Sequence, residues 1–353
     1  MGLRAAIVHS GGPTAVLNAS LAGVADASRE HAEVLYGARF GIHGLISGDL
    51  VDLLPISNAR FHAIAQSPGS FIGSSRRRLE DADYDRLRKS LLRHDIRTIF
   101  YTGGNGSMTA ALSIAQHLPE IQVIGIPKTI DNDLAVTSHT PGYASTAYFF
   151  ACAARDAGID NQSLPSPVCI LETLGRDIGW IVAATSFARG GDPDSAPHLI
   201  YFAERPLTLD RIASDVERVY RRLGRVFVAV CEGQFDGQTL AKELTARLGI
   251  RARAERPGLV GRSCGPFARQ RDRRESYECG RAAVEAALHD ETRVMVALNY
   301  DSSTFLTPLE AVAGKHRRFP EEWISEEGND VTQEFKHYAE PLTGPVTGYS
   351  DGD

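Results

Sequence analysis

The sequence predicts an α/β fold with mostly parallel, doubly wound sheets. Short apolar runs alternate with helical patterns along most of the chain. Three of these runs, Leu3–Val8, Arg97–Tyr101 and Ile121–Ile126, end in loops rich in glycine or led by proline. The alternation resumes from Val168 onward, which extends the same architecture into the second half.

The first run ends at His9 and gives way to Ser10-Gly11-Gly12-Pro13-Thr14, with a helical pattern over Leu17–Ser28. A strand, a glycine turn and a helix together aim backbone N–H groups at an anion. Val34–Ala38 reads as the next strand, and Gly41, Gly44 and Gly48 mark a loop. Gly69–Arg78 is another loop, outside these strand ends, rich in glycine and serine and closed by Arg76, Arg77 and Arg78. Tyr84, Leu87, Leu91 and Leu92 fall at helical spacing, which predicts an amphipathic helix over Tyr84–Asp95. Arg97–Tyr101 then runs into Gly103-Gly104-Asn105-Gly106-Ser107 and a helix over Met108–His117. Three loops of phosphate-binding type therefore follow three strands. In doubly wound sheets, ligands bind at the carboxyl ends of the strands.

The third loop is Pro127-Lys-Thr-Ile-Asp-Asn-Asp133. In an extended segment Asp131 and Asp133 point the same way, because side chains alternate with period two. Two like-signed acids on one face need a cation between them or near them. A metal ion, Lys128 or a substrate proton would each serve, and a plain turn with solvated acids is the simpler alternative.

In the second half, strands are expected at Val168–Leu171, Leu199–Phe202, Arg225–Val230 and Val294–Asn299, with a short one at Gly258–Gly261 closed by Arg262. Helices are expected at 177–188, around 212–220 and at 277–288. The tail from Pro320 is acidic and weakly periodic, which predicts a cap or partial disorder.

Composition narrows the function classes. The chain has 353 residues, 43% of them hydrophobic, enough for a sizeable core and for two domains or one large α/β unit. A net charge of −6 with no long basic block speaks against a nucleic-acid partner. The five cysteines form no Cys-x-x-Cys pair, so neither a zinc site nor a disulfide framework is indicated. A reduced, cytoplasmic setting is expected. No stretch reads as a membrane span or a signal peptide.

The motifs resemble those of the phosphofructokinase family. Ser-Gly-Gly at 10–12, Gly-Ser-Ser-Arg at 73–76, Gly-Gly-Asn-Gly-Ser at 103–107, Pro-Lys-Thr-Ile-Asp-Asn-Asp at 127–133, Leu-Gly-Arg at 174–176 and Glu-Gly at 232–233 occur in the family's order, over roughly residues 3 to 300. Ser-Gly-Gly-Pro-Thr and Gly-Gly-Asn resemble the branch many of whose members are described as pyrophosphate-dependent.

The resemblance implies two doubly wound three-layer α/β/α domains: a donor domain over 1–142, an acceptor domain over 143–290, and a segment 291–353 packing back on them. It implies that Gly11, Gly12 and the loop Gly103, Gly104, Asn105, Gly106 and Ser107 hold the donor phosphates. Arg76 would bridge the donor and the transferred group, with Lys128 adding charge stabilisation. Asp131 would be the base that takes a proton from the sugar hydroxyl, and Thr129 and Asp133 would position the sugar. Asn105 and Asp133 would hold Mg²⁺. Leu174, Gly175, Arg176 and Glu232 would line the acceptor site, and Arg253 and Arg262 would hold the acceptor's phosphate. The implied partners are ATP or pyrophosphate and a sugar or sugar phosphate, in a homodimer or homotetramer.

Phosphoryl transfer needs such parts independently, namely positioning, cationic groups, Mg²⁺ and a carboxylate on the nucleophile. The chain departs from many relatives at Asn105, where Asp is common, at Pro167, where an Arg is common, and at Leu259, where a His is common. These departures keep a second class of function open, a weakened homologue that binds phosphorylated metabolites. On the donor, two positions disagree. By the resemblance, a glycine at position 106 leaves room for the rest of ATP where pyrophosphate users commonly carry Asp, whereas Lys128 is the residue of pyrophosphate users. Gly106 weighs more, because a carboxylate there would exclude ATP by bulk and charge, whereas a flexible lysine can swing toward the phosphates of either donor. ATP is the expected donor, with pyrophosphate the alternative.

Overall fold

The computed structural model describes residues 2–347. Its strands are β1 (Leu3–His9), β2 (Ala32–Ala38), β3 (Leu50–Asp52), β4 (Thr98–Gly103), β5 (Gln122–Pro127), β6 (Val168–Thr173), β7 (Leu199–Tyr201), β8 (Val226–Cys231), β9 (Ala252–Glu255), β10 (Val294–Leu298) and β11 (Thr304–Pro308). They form two sheets, ordered β11-β10-β5-β4-β1-β2-β3 and β7-β8-β6-β9.

The chain divides into two compact units. One comprises the residues up to Tyr143 together with Gln270–Arg317, and the other comprises Ala144–Arg269 with the described residues from Arg318 onward.

In the first unit the inner strands β10, β5, β4, β1 and β2 are parallel, and β3 and β11 close the edges antiparallel. Successive side chains of β1 enter different cores: Ala5 and Ile7 pack with the helices Leu17–Ser28 and Gln270–Leu288, while Ala6 and Val8 pack with Asp81–Arg93 and Asn105–His117. A sheet buried on both faces needs apolar residues at every position, which is why its strands read as continuous runs. The predicted doubly wound α/β architecture is what the chain adopts.

The helix expected at 277–288 begins earlier, at Gln270, and belongs to the first unit rather than to the second domain. Its close approach to Leu17–Ser28 explains this. A Cβ at Gly23 would overlap the Tyr277 carbonyl, and one at Gly280 would overlap the Ser20 carbonyl. Two glycines far apart in sequence thus make one helix contact, and no local pattern announces it.

The second unit has an all-parallel four-stranded sheet. Val168, Ile170, Val226, Val228 and Val230 pack with the helices Leu209–Leu223 and Gly237–Leu248. The alternate residues Cys169, Leu171, Phe227 and Ala229 are buried as well.

Other expectations are corrected here. Gly258–Gly261 is not a strand; Val260–Ser263 is a short helix, and the strand is β9, six residues earlier. That strand, Ala-Arg-Ala-Glu, is half-buried at the sheet edge, so charges replace the apolar run. The loop marked by Gly41, Gly44 and Gly48 contains the helix Ile42–Ser47. The segment 291–353 is not a single body: β10 and β11 complete the first sheet, and the described residues from Arg318 belong to the second unit. There Phe319, Trp323 and Phe335 pack as an aromatic group with Trp180 and Phe202, so this part of the tail is ordered. The tail's last residues, 348–353, lie outside the described residues.

Candidate active site

In the first unit, β5, β4 and β1 are adjacent and parallel, so the loops that follow them emerge at one edge. Ser10 N–H donates to the Thr102 carbonyl at 2.8 Å, and Lys128 N–H to the Gly103 carbonyl at 3.0 Å. The loop carrying Arg76 is stitched to the first of them. Gly11 N–H donates to the Ser75 carbonyl at 2.9 Å, and Ser74 Oγ donates to the Gly11 carbonyl at 2.7 Å. Arg76 next to this seam is exposed, with no ion pair among the described residues. Its neighbour Arg77 is held by Asp83 at 2.6 Å.

Lys128 is buried, and this corrects the expectation of a flexible side chain. Its Nζ donates to the carbonyls of Ser10 at 2.7 Å and Gly12 at 2.9 Å. The ammonium therefore sits fixed against the glycine turn after β1. An ammonium has three donors, and a buried one stays charged only where acceptors surround it.

The glycine loop after β4 opens the helix Asn105–His117, whose preceding residue, Gly104, gives no side-chain cap. The first N–H groups of such a helix are a natural place for phosphate oxygens. A Cβ built on Gly106 meets nothing within 4 Å, so the helix start is open on that side.

The segment Thr129–Asp133 is a bend, not an extended strand. Asn132 lies at φ 54°, in the left-handed region, which reverses the chain between the two acids. The period-two argument for Asp131 and Asp133 therefore fails, and the acids occupy different surroundings. Asp131 is half-buried, and its backbone N–H donates to Thr129 Oγ1 at 3.1 Å. Asp133 is buried, and its Oδ2 accepts from Asn105 Nδ2 at 2.7 Å. His316 Nδ1 lies 3.3 Å from the same oxygen and 3.2 Å from Asn105 Nδ2.

Reading the sequence missed His316. It reaches Asp133 through a backbone bridge between His316 and Leu134, a contact that spans about half of the chain. Asp133 Oδ1 and Asn105 Oδ1 are buried without hydrogen-bond partners among the described residues. Two orphaned oxygens of this kind suit a hard cation or its bound water. No group of three or more His, Cys, Asp or Glu is placed to hold a metal by itself among the described residues. The donor set thus fits an ion that takes most of its ligands from phosphate and water.

In the second unit, β6 and β8 are neighbours, and the loops after them meet. Arg176 N–H donates to Glu232 Oε1 at 3.2 Å, and Gly233 N–H donates to the Arg176 carbonyl at 2.8 Å. Leu174, Gly175, Arg176 and Glu232 therefore form one cluster at the carboxyl ends of these strands. Arg262 lies on the short helix Val260–Ser263 and is half-buried. Arg253 is elsewhere. It pairs in register with Cys169, near the amino end of β6, and its guanidinium is bound by Asp160 at 2.8 Å and Glu255 at 2.6 Å. The structure does not bring it to Arg176 and Glu232. Pro167 uses its carbonyl to accept from Val226 N–H at 2.8 Å, and Leu259 is exposed.

Comparison with known proteins agrees with this geometry. The phosphofructokinase family model matches residues 4–287. The chain is 34% identical to a pyrophosphate–fructose 6-phosphate 1-phosphotransferase of Rhodospirillum rubrum, covering 97% of this chain and 94% of that one. It is 30% identical to an ATP-dependent 6-phosphofructokinase of Thermotoga petrophila, covering 88% and 95%. The crystal structure of a pyrophosphate-dependent phosphofructokinase from Marinobacter aquaeolei superposes with a TM-score of 0.90 at 30% identity, covering 99% of this chain and 94% of that one. With its three loops on one sheet edge and its sequence matched along most of its length, the chain belongs to the phosphofructokinase family of phosphotransferases.

Proposed function

We propose that the chain transfers a phosphoryl group from pyrophosphate to the 1-hydroxyl of fructose 6-phosphate. The observation that carries the choice of donor is the buried Lys128 ammonium, fixed by the Ser10 and Gly12 carbonyls. The expectation of ATP weighs the open position at Gly106 above a lysine free to swing between donors, and the second of these premises does not hold. A fixed cation beside the glycine turn suits a compact, highly charged donor. The Rhodospirillum and Marinobacter relatives named above support the same reading.

On this reading the helix start at Asn105–Ser107 and the turn at Gly11–Gly12 receive the donor's phosphates. Arg76, beside that turn, meets the transferred group. Asp131 accepts the proton of the attacking hydroxyl, and Thr129 Oγ1 fixes the backbone from which Asp131 projects. Asn105 and Asp133 would hold Mg²⁺, which when bound neutralises charge on the phosphate oxygens. Arg176, Glu232 and Arg262 contact the sugar phosphate. Arg253, held by Asp160 and Glu255 near the amino end of β6, is left out of this contact set.

ATP is the second reading, favoured by the open space at Gly106. A homo-oligomer in a reducing compartment completes the proposal, and all five cysteines are unpaired. Among the described residues no helix is long and apolar enough to cross a membrane.

Purified protein with Mg²⁺ and fructose 6-phosphate, given pyrophosphate or ATP in parallel, tests the donor. Turnover with pyrophosphate at least tenfold above ATP is expected, and the reverse ratio returns the assignment to ATP. No turnover with either donor on a panel of sugar phosphates would favour a metabolite-binding homologue. Light scattering reads the assembly state, and a monomer contradicts that part.

A further inference from the structure

We infer that Asp272 and Glu275, on the helix Gln270–Leu288, are positioning residues that hold the base Asp131 in place through the segment Thr137–Gly142. The inference rests on the reading of Asp131 as base.

The bend at Asp131 is supported by the chain that returns beside it. Thr140 N–H donates to Asn132 Oδ1 at 3.1 Å, Thr140 Oγ1 to the Thr129 carbonyl at 2.9 Å, and Thr129 N–H to the Pro141 carbonyl at 3.2 Å. These bonds flank Asp131 on both sides and hold the left-handed Asn132 between the two acids. The returning segment has little regular structure of its own, so something must fix it.

The helix Gln270–Leu288 supplies two buried acids for this. Asp272 Oδ1 accepts from Gly142 N–H at 2.8 Å. Glu275 Oε2 lies 2.8 Å from His139 Nε2, and its Oε1 accepts from Arg271 Nε at 2.7 Å and Ser302 Oγ at 2.5 Å. Asp272, Glu275 and His139 are each 1% exposed. Burial pushes the Glu275 carboxyl up, but the hydrogen bond and charge of His139 and the hydrogen bonds of Arg271 and Ser302 outweigh it and hold it at about 2.

Apolar residues of similar volume often serve stability as well as a buried ionic cluster does. What the acids add is direction, because each fixes one point of the segment that holds the bend. The helix that carries them is itself locked to Leu17–Ser28 at Gly23 and Gly280, so it is a rigid support.

A double-mutant cycle in kcat separates positioning from plain stability. Glu275→Gln is made in the wild type and in Asp131→Asn, and turnover is read with the donor that the wild type uses. In the wild type it should lower kcat about tenfold, with both KM values within about twofold. In the Asp131→Asn background it should lower kcat by less than about twofold, because the group it positions is already gone. Multiplying losses, or a Glu275→Gln enzyme with wild-type kcat, overturn the inference and leave Asp131 as base. An Asp131→Asn enzyme with wild-type kcat overturns the base reading, and the inference falls with it. Should Glu275→Gln not fold, Ser302→Ala removes one hydrogen bond to the same carboxylate. It is read in the same cycle, with about a threefold loss expected only when Asp131 is present.

Discussion

Lys128 Nζ lies 2.7 Å from the carbonyl oxygen of Ser10, with the Gly12 carbonyl at 2.9 Å. A side chain from the end of β5 thus braces the turn at the end of β1, across the intervening β4. Lys128→Met keeps the bulk and removes the charge. It should lower kcat/KM for pyrophosphate by about 10²-fold or more, the range seen when one fixed electrostatic donor is lost. The acceptor KM should change little. Two half-buried carbonyls also lose their partner, so stability should fall by roughly 1 kcal/mol or more. Steady-state kinetics and a urea titration check both, and unchanged use of pyrophosphate would remove Lys128 from the donor site.

Gly106→Asp tests the other side of the donor question. Because a Cβ there meets nothing within 4 Å, the variant should fold with its thermal midpoint nearly unchanged. The carboxylate would occupy the space that the rest of ATP needs and repel its phosphates. Any ATP-dependent turnover should fall more than about tenfold, about 1.4 kcal/mol of lost transition-state binding. Use of pyrophosphate should stay within about threefold. An ATP rate equal to that of wild type would show that this space is not where a nucleotide goes.

How much of this was legible in the sequence depended on whether its cause was local. Strands β1, β4, β5, β6 and β8 are buried on both faces, so their apolar runs stood out, and so did the glycine loops at their ends. The contact of His316 with Asp133 and the Gly23–Gly280 approach are long-range, and no local period encodes them. Lys128 reads as a flexible cation because its acceptors are backbone carbonyls, which the sequence does not display. Asp131 and Asp133 were misread as sharing a face because the backbone at Asn132 enters the left-handed region, which asparagine tolerates but does not require. β9 carries charge because it is an edge strand.

Stability should fall with acid, starting from near neutral pH. Burial, with Lys128 nearby, pulls His9 from 6.5 down to about 3, and burial pulls His198 down to about 4. Both imidazoles are neutral when folded, where an unfolded chain already binds a proton. The unfolded state therefore binds more protons between pH 6.5 and those lower values, and stability is lost as pH falls through that window. Each site contributes a slope of up to about 1.4 kcal/mol per pH unit. His9 Nδ1 bonds to Ser70 Oγ at 2.8 Å, so His9→Asn preserves a polar contact without the titration. Thermal midpoints between pH 5 and 7.5 should fall less steeply in this variant, and an identical slope would rule His9 out as a source.

Arg262→Ala should raise the acceptor KM about tenfold or more while leaving the donor KM within about twofold, since a charge-assisted bond to phosphate is lost. Arg253→Ala breaks two ion pairs, so part of its effect should appear as lost thermal stability. If Arg262→Ala leaves the acceptor KM unchanged, the acceptor's phosphate is held by other groups.

The turnover of Asp131→Asn, with the donor that the wild type uses, tests the central claim most directly. The amide is isosteric and Asp131 is half-buried, so folding should be unaffected. If Asp131 takes the proton of the attacking hydroxyl, kcat should fall about 10²–10⁴-fold, the usual cost of losing a general base. Donor binding measured by calorimetry should stay within about twofold. A variant that folds, binds donor and turns over within about threefold of wild type would contradict the account at its centre.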